Sequence, residues 1–383
     1  MRKLFSVDDH ILEPANVWVD RVPAKYRTLA PHVVTENDHE LWVINGKKST
    51  STGLFAVAGK KPEEWNSDPI NYAQMTPGCY NPAARAQEFL SNGVCATVSF
   101  PTQVGFAGEK FLSFEDRTLA DLCVQAYNDW MLEEWCPGGP RGMFVPTILA
   151  KLWDAEATAK EIYRCAVKGA RALSFPENVC RFGLPSYWSD FWDPVWRACE
   201  ETDTVICMHI VTGFGVATTA PEAPSTLTIS LGNISAQMTM VDFSMSPVCR
   251  KFPKLKLVFS EGGIGWIPAA LERADRQFIR HGPWSGQKGA LPSEIFRQNM
   301  YFCMIYEPIG LHMTRHEVGI ERIFWELDYP HADSPWPEAQ AEVEEQFHDI
   351  PDDEAEKILL TNAERVFNWK AADLPSVQAM AAE

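Results

Sequence analysis

Short apolar runs rich in branched residues alternate along this chain with longer segments whose apolar residues recur at helical spacing. The short runs predict strands and the longer segments predict amphipathic helices. The predicted strands are Leu4–Asp8, Val94–Phe100, Met143–Leu149, Ala170–Phe175, Thr204–His209, Leu255–Glu261, Met300–Met304 and Arg322–Asp328. The predicted helices are Ala83–Asn92, Arg117–Glu134, Asp154–Val167, Asp190–Glu201, Trp266–Arg280 and Glu338–Phe347.

Strands that alternate with helices pair in parallel through crossover helices. The pattern contains about eight strand–helix units, which is the number that closes a (β/α)8 barrel. An open doubly wound sheet is the alternative, and it usually carries a glycine-rich phosphate loop after its first strand. Here Asp9–Pro14 follows the first strand and contains no glycine. The sequence therefore predicts an α/β fold of the TIM-like (β/α)8 barrel type.

Residues 38–80 fit no strand–helix unit. His39–Gly46 predicts an extra strand that ends in an Asn45-Gly46 turn, and the remainder is rich in turn-forming residues. We expect a loop insertion after the first strand, on the side where barrel loops frame the active site. Residues 1–370 are then a single barrel domain, followed by a C-terminal tail over 371–383 that we expect to be partly disordered beyond Asp373.

Composition narrows the class of protein and its partners. The 383 residues are 46% hydrophobic and 22% charged, which is typical of a globular protein with a substantial core. With 34 Lys and Arg against 51 Asp and Glu, the formal net charge is −17, so phosphate backbones and anionic lipids are poor partners. No apolar run approaches the roughly 20 residues that span a bilayer. We expect neither nucleic acid nor a membrane as partner.

The cellular compartment is also predicted from the sequence. Asp8 and Asp9 lie where a signal peptide would require an apolar stretch, which favours a cytoplasmic location. The ten cysteines contain no C-x-x-C pair, and several lie inside apolar runs. We expect reduced, buried thiols rather than a disulfide framework.

Carboxylates and imidazoles stand at the ends of several predicted strands, where a barrel places its catalytic groups. Asp8 and His10 are two residues apart and therefore share one face of the first strand. The other such residues are His209, Glu261, Asp328 and His331. Most of these residues also have an ordinary structural explanation. Asp8 and Asp328 are of a type that caps turns and helices. His209 fits a buried core position, and Glu261 precedes a helix whose dipole favours a carboxylate. Their shared location at one barrel mouth favours a divalent metal, which stabilises several buried charges together.

Several segments also carry a resemblance that covers nearly the whole chain. They are Val7–Pro14, Asn81–Arg85, Ala126–Trp130, Glu261–Pro268, Asp328–Pro337 and Asn362–Phe367. The sequence resembles the amidohydrolase-related family, in the branch of the amidohydrolase superfamily that includes aminocarboxymuconate semialdehyde decarboxylase. The resemblance implies a distorted (β/α)8 barrel of the metal-dependent amidohydrolase type and a homodimer or larger homo-oligomer. It places metal ligands at Asp8, His10, His209 and Asp328.

Two positions depart from the family's pattern. Many members begin with His-x-His or Glu-x-His, where this chain has Asp8-Asp9-His10. Many decarboxylase members carry a catalytic histidine at the end of the sixth strand, where this chain has Glu261. The loss of that histidine argues against decarboxylation. It also supplies a carboxylate, so we predict Glu261 as a further metal ligand or bridge.

The ligand types narrow the choice of metal. Mixed imidazole and carboxylate ligation suits Zn, Fe(II) and Mn(II), whereas a thiolate site is not indicated. The four ligands that the resemblance implies are enough for one metal ion. Glu261 and His331 could provide ligands for a second metal ion. Trp266 and Trp336 are candidates for an apolar pocket beside the metal, although packing between barrel and helices explains each as well.

The leading functional hypothesis is metal-dependent hydrolysis of an acyl derivative of an organic acid: an amide, ester, lactone or thioester. Metal-bound water would attack, Asp328 would act as general base, and His331 would protonate the leaving group or orient the substrate. Glu261 completes the predicted catalytic set. The main alternative is nonoxidative decarboxylation of an aromatic or unsaturated acid, with Asp328 protonating the ring carbon. Dioxygen chemistry at a dinuclear Fe or Mn centre and a non-catalytic barrel subunit are further alternatives.

Overall fold

The structure, a computed structural model, describes residues 1–374. The strands are β1 Leu4–Ile11, β2 His32–Glu36, β3 His39–Ile44, β4 Lys47–Thr50, β5 Val94–Pro101, β6 Phe144–Val145, β7 Thr147–Leu149, β8 Ala172–Ser174, β9 Val205–His209, β10 Leu257–Ser260, β11 Met300–Met304 and β12 Ile323–Trp325. The α-helices are α1 Pro82–Ser91, α2 Arg117–Trp130, α3 Ala155–Val167, α4 Asp193–Thr202, α5 Ser225–Ser230, α6 Ile234–Met245, α7 Val248–Lys251, α8 Ile267–Ser285, α9 Pro292–Asn299, α10 Arg315–Val318, α11 Ala339–Gln346, α12 Asp352–Glu356 and α13 Asn362–Val366. Residues 375–383 of the expected C-terminal tail lie outside the described residues.

The main strands pair in parallel and in the order in which they occur along the chain. One sheet contains β1, β5 and β6, and the other runs from β7 through β8, β9, β10 and β11 to β12. Pro146, which has no backbone N–H, separates β6 from β7 within what the sequence predicts as one strand. Beyond β12, the Asp328 N–H donates to the Asp8 carbonyl at 2.8 Å, and the His10 N–H donates to the Tyr329 carbonyl at 2.7 Å. The fold is α/β with parallel sheets, and these hydrogen bonds are consistent with a barrel.

The strands of the two parallel sheets are buried on both faces, as parallel sheets covered by helices require. Every residue of β1, β5, β9 and β11 is buried. Helix α3 shows how a covering helix forms. The Asp154 side chain accepts the N–H of Ala157 at the N-terminus, and Gly169 follows the last turn with φ of 104°. Its buried residues, which include Ile162 and Cys165, lie toward the core.

Between β1 and α1 the chain forms a separate small sheet. Strands β2, β3 and β4 are antiparallel, and β3 turns into β4 at Asn45-Gly46, where φ is 49° and 72°. Positive φ at both positions is what a two-residue hairpin turn requires, which confirms the predicted turn. The sheet begins at His32, earlier than the segment 38–80 that the sequence singles out. Short 3-10 turns, the last over Pro77–Cys79, complete the connection.

The observed secondary structure differs from the prediction in several places. Helices α9, α10, α12 and α13 were not predicted. The last strand ends at Trp325 instead of Asp328, because the backbone leaves extended geometry and Asp328 has a positive φ of 54°. The helical region 225–251 was not predicted. Helix α6 within it mixes hydroxyl-bearing and apolar residues on its buried side and exposes apolar Ile234 and Met238, so its sequence lacks a clear amphipathic pattern.

The cysteines agree with the expectation of reduced, buried thiols. All ten cysteines are free, and eight of them are buried. Among residues 1–374, none of the helices combines the length and the apolar character needed to cross a membrane.

Candidate metal centre

Four predicted ligands come together at the carboxyl ends of the strands. Asp8, His10, His209 and Asp328 each offer a ligand atom within 4.8 Å of the others. His10 Nε2 lies 3.1 Å from His209 Nε2, 3.5 Å from Asp8 Oδ1 and 3.3 Å from Asp328 Oδ1. At most 2% of each of these residues is exposed. The site is a compact, buried set of two carboxylates and two imidazoles.

The backbone explains why these side chains meet. In β1, alternation directs Asp8 and His10 to one side, whereas Asp9 between them accepts hydrogen bonds from the Tyr329 N–H, at 2.9 Å, and from Thr97 Oγ1. The Asp8 carbonyl in turn accepts the Asp328 N–H. Asp9 therefore holds the segment after β12 against β1, which brings Asp328 to the Asp8 and His10 side chains.

Unpartnered polar atoms show that the cluster fits a cation. Both carboxylate oxygens of Asp8 and Oδ1 of Asp328 are buried without a hydrogen-bond partner. His209 Nδ1 lies 2.9 Å from the Ile210 carbonyl and donates to it in the neutral ring, which leaves the Nε2 lone pair directed into the cluster. Buried polar atoms without partners are costly, and a divalent ion would satisfy all of them together. The residues present are able to hold a divalent metal.

The pKa values of these groups show how strongly burial acts on the cluster. Burial, followed by the charges of neighbouring carboxylates, raises the pKa of Asp8 and of Asp328 well above the usual range. Burial also lowers the pKa of His209 to about 4 and the pKa of His10 well below its usual value. The imidazoles are consequently neutral near pH 7, which is the state in which histidine binds a metal.

Glu261 lies beside the four-residue cluster and not within it. Its Oε2 is 3.9 Å from His209 Nε2, and its side chain is 18% exposed. With Asp328 and His331 it forms a second group of possible ligands. Its φ is 53°, and its N–H donates to both carboxylate oxygens of buried Glu326 at 3.1 and 3.2 Å. The structure thus places this carboxylate at the more open side of the cluster.

His331 also contacts the cluster. Its Nδ1 is 3.1 Å from Asp328 Oδ1, and its ring stacks on the His10 ring with centroids 3.7 Å apart. Its Nε2 is buried without a hydrogen-bond partner. The imidazole is therefore positioned to exchange a proton with Asp328 or to contact a substrate.

Aromatic rings cover the imidazoles, but they are not the predicted tryptophans. The centroid of Phe106 lies 4.5 Å from that of His10 and 4.4 Å from that of His209, and Phe55 lies 5.0 Å from His331. Trp266 packs against Phe302, and Trp336 packs against Tyr329. Phe55 belongs to the segment between β1 and α1, so this segment reaches the cluster.

Sequence reasoning missed several buried polar residues that support the site. The guanidinium of Arg85 is fully buried and donates to the carbonyls of His10, at 2.6 Å, and Gly78, at 2.7 Å. Arg85 ends the Asn81–Arg85 motif, so the motif was seen but its contact with the strand that bears His10 was not. Asp9, Glu13, Glu161, Glu177 and Glu326 are further buried acids that no spacing rule indicated.

Comparison with known proteins identifies the family and the fold. Residues 74–369 match the sequence profile of the amidohydrolase family, and the chain belongs to that family. An amidohydrolase from Mycobacterium avium subsp. paratuberculosis is 17% identical, with a TM-score of 0.71 over 96% of this chain and 99% of that one. The 5-carboxyvanillate decarboxylase LigW from Sphingomonas paucimobilis is 19% identical, with a TM-score of 0.65 over 97% and 100%.

A third solved structure contains a metal. It is a dihydroxybenzoic acid decarboxylase from a Polaromonas species with bound manganese and the inhibitor 2-nitroresorcinol. It is 16% identical, with a TM-score of 0.62 over 96% of this chain and 97% of that one. At such identities the likeness establishes the fold, and the substrate has to be argued from the site.

Proposed function

We propose that this protein is a metal-dependent nonoxidative decarboxylase of an aromatic or unsaturated carboxylic acid, built on a complete (β/α)8 barrel. The observation that carries the proposal is the fully buried Asp8, His10, His209 and Asp328 cluster under the Phe106 ring, with its unpartnered carboxylate oxygens. With a bound cation, such a site would combine a positive charge with surroundings that exclude water, which favours release of neutral carbon dioxide from a carboxylate. The fold shared with two decarboxylases supports the assignment. The proposal prefers decarboxylation to hydrolysis, whereas the absence of a histidine at the end of the sixth strand suggested the opposite order.

In this proposal Asp8, His10, His209 and Asp328 hold the metal, for which manganese, zinc and iron are candidates. The bound ion would supply a binding point for the substrate carboxylate and an adjacent oxygen. Phe106 and Phe55 exclude water from the imidazoles and offer an apolar surface to the substrate's unsaturated body. The partner is therefore a small organic acid, and we retain the expectation of a cytoplasmic homo-oligomer.

Asp328 is the proposed proton donor. Its Oδ1 would deliver a proton to the carbon that bears the carboxylate, while the bond from that carbon to the carboxylate breaks and carbon dioxide leaves. His331 Nδ1, at 3.1 Å from the same oxygen, is placed to return a proton to Asp328 after the reaction. No oxidant is required, because the bonding electrons stay with the carbon that is protonated.

Metal-dependent hydrolysis is the second candidate, and Glu261 is the observation that favours it. Its carboxylate faces the cluster from the more exposed side, where water has access. A carboxylate at this place is suited to accept a proton from a water molecule that attacks an acyl carbon. In that case Glu261, Asp328 and His331 would form the catalytic set.

The experiment that separates the two candidates uses metal-loaded protein in deuterium oxide. A panel of hydroxybenzoic acids is tested for carbon dioxide release, and their methyl esters and amides are tested for hydrolysis. Decarboxylation predicts a product with one deuterium at the carbon that lost the carboxylate, and no oxygen consumption. Hydrolysis of esters or amides without carbon dioxide release would overturn the proposal.

Glu261→Gln is the matched control variant, because it preserves shape and removes only the charge. If the decarboxylase proposal is correct, this variant releases carbon dioxide within about threefold of the wild-type rate, since the proton comes from Asp328. If hydrolysis is the reaction, the same variant loses about a hundredfold or more. Metal content is measured in parallel, so that loss of the ion is distinguished from loss of a proton acceptor.

A further inference from the structure

An open, mainly apolar cavity lies against helix α6, and the proposed reaction does not use it. It has a volume of about 760 Å³, which is within the range of small-molecule sites. Its walls come from the loops after β8 and β9 and from α6, and they include Val179, Tyr187, Phe214, Met238 and Val241. None of the four proposed metal ligands lines it, and neither does Glu261 or His331. The cavity is therefore separate from the metal cluster.

One wall of the cavity is fixed by buried aromatic packing. Tyr187 is buried, and its hydroxyl donates to the Pro176 carbonyl. The centroid of its ring lies 4.9 Å from that of Phe243 and 5.6 Å from that of Trp196. Because these contacts are already formed, the wall needs little rearrangement to receive a ligand, and such preorganisation lowers the cost of binding.

A single carboxylate gives the cavity its charge. Among the described residues that line it, Asp242 on α6 carries the only charged side chain. Its Oδ1 accepts the Trp188 indole N–H at 2.6 Å. Within residues 1–374, no basic side chain forms an ion pair with Asp242. Arg273 lines a neighbouring groove along α6, whose walls do not include Asp242. The cavity thus combines an apolar surface with one uncompensated negative charge.

The surroundings of this carboxylate favour a cation as its partner. Burial raises the pKa of Asp242, and the Trp188 hydrogen bond opposes this. A carboxylate whose charged form is disfavoured by burial is stabilised by a positive charge placed beside it. The indole of Trp188 lies next to the same carboxylate and is 46% exposed, and indole faces attract organic cations. The net charge of −17 also attracts cations to the protein.

We propose that the cavity binds an organic cation, with its ammonium group at Asp242 and its apolar body against Tyr187 and Met238. The ligand class is a protonated or quaternary amine with an aromatic or branched aliphatic body. It is opposite in charge to the organic acid that we propose as substrate. The site contains no residue of the metal cluster, so it goes beyond the proposed function and is independent of it.

The test is calorimetric binding of two probes of matched size to metal-loaded protein. They are 2-(2-naphthyl)ethylamine, which is protonated near pH 7, and neutral 2-(2-naphthyl)ethanol. The wild type should bind the amine at least about tenfold more tightly, because only the cation pairs the carboxylate. Asp242→Asn preserves shape and keeps an oxygen for the Trp188 indole N–H. We expect it to abolish the preference by weakening the amine, with the affinity for the alcohol within about threefold of wild type.

Two further variants separate the charge from the apolar wall. Asp190→Asn is the matched control, because Asp190 is an exposed carboxylate outside the cavity and its loss changes the net charge equally. It should leave the ratio of the two affinities within about twofold of wild type. Met238→Ala removes apolar surface and keeps the charge, so it should weaken both probes by a similar factor of about fivefold. Thermal unfolding of each variant reports whether the fold is retained.

Equal affinity of the wild type for the two probes, or a preference that Asp242→Asn retains, would overturn the proposal. Sedimentation at several protein concentrations tests whether a second copy of this chain covers the cavity instead. In that case the wild type would bind neither probe and Met238→Glu would lower its molar mass, a result that would also overturn the proposal. Binding of the amine with no change in molar mass is the expected outcome.

Discussion

Two regions of this protein bury acidic side chains in opposite ways. In the network of Asn128, Glu161 and Arg164, behind the strands, the acid has partners: Asn128 Nδ2 donates to Glu161 at 2.9 Å, and Arg164 donates to it at 2.6 Å. Burial opposes ionisation of Glu161, but these two partners outweigh it and lower its pKa. In the metal cluster, burial raises the pKa of Asp8 and Asp328, and both Asp8 oxygens and Oδ1 of Asp328 have no hydrogen-bond partner.

The difference distinguishes buried charges that stabilise the fold from buried charges that form the functional site. A network with internal partners is stable as it stands and needs nothing from outside. A cluster with unpartnered atoms is stabilised only by a ligand, and enzymes commonly maintain such costly arrangements where they act. Variants of the two regions should therefore differ in kind: loss of fold stability in one, and loss of metal or turnover in the other.

The largest effect is expected at Asp328. Asp328→Asn should lower the rate of carbon dioxide release by about a thousandfold or more, because it removes the proposed proton donor and weakens a ligand. Its thermal unfolding midpoint without metal should stay within a few degrees of the wild-type value. Steady-state kinetics with measured metal content, together with calorimetry of the metal-free form, checks both. A variant that retains a tenth of the wild-type rate would refute this role for Asp328.

The opposite outcome is expected in the paired network. Asn128 Nδ2 also donates to the Leu149 carbonyl, and Asn128 Oδ1 accepts the Leu149 N–H at 2.8 Å. Asn128→Ala leaves these buried groups unpaired and should lower the free energy of unfolding by about 3 kcal/mol. Urea denaturation measures the loss, and metal content per folded chain should be unchanged. Loss of metal with little loss of stability would remove the distinction between the two regions.

Substitution of His331 tests whether the site includes residues other than the four proposed metal ligands. His331→Asn should lower kcat by about tenfold and leave metal content unchanged, because the Asn amide cannot return a proton to Asp328. Burial lowers the pKa of His331 well below its usual value, so the ionisation that the pH dependence of kcat should lose lies on the acidic side. A merely structural role would alter the rate equally at every pH. Co-purified metal that falls in proportion to kcat would identify His331 as a ligand instead.

Glu13 is a buried acid with one partnered and one unpartnered oxygen, so it lies between the two regions. The smallest effect, on the free energy of unfolding, is expected from this residue. Its Oε2 accepts the N–H groups of Gln103 and Thr102, but its Oε1 is unpartnered, and burial raises its pKa to about 7. The folded protein then binds a proton that the unfolded chain has already released above pH 5. The free energy of unfolding should therefore fall by about 1 kcal/mol between pH 6 and pH 7 on account of this residue.

Denaturation of the wild type and of Glu13→Gln at several pH values checks this sign. The variant, which cannot titrate at this position, should show a slope smaller by the same amount. Identical slopes for the two proteins would mean that the Glu13 carboxylate is satisfied in the folded state.

The sequence predicted the location of functional side chains where a short-range rule determines it. Alternation within β1 places Asp8 and His10 on one side, and the ends of parallel strands add His209 and Asp328. All four meet as expected. The covering rings of Phe106 and Phe55 were not predictable, because both lie on irregular loops whose paths depend on distant contacts. Arg85 and Glu326 act on the backbones of His10 and Glu261, a relation that no residue spacing reveals.

The most direct test of the central claim is the metal content of the protein purified without added metal and then dialysed against Mn²⁺. Plasma mass spectrometry should find about one tightly held divalent ion per chain in the wild type and in Asn128→Ala. His209→Ala should retain less than about a tenth of that amount, since it loses one of four ligands. A wild-type protein without stoichiometric metal, or a His209→Ala variant that retains it in full, would contradict the account.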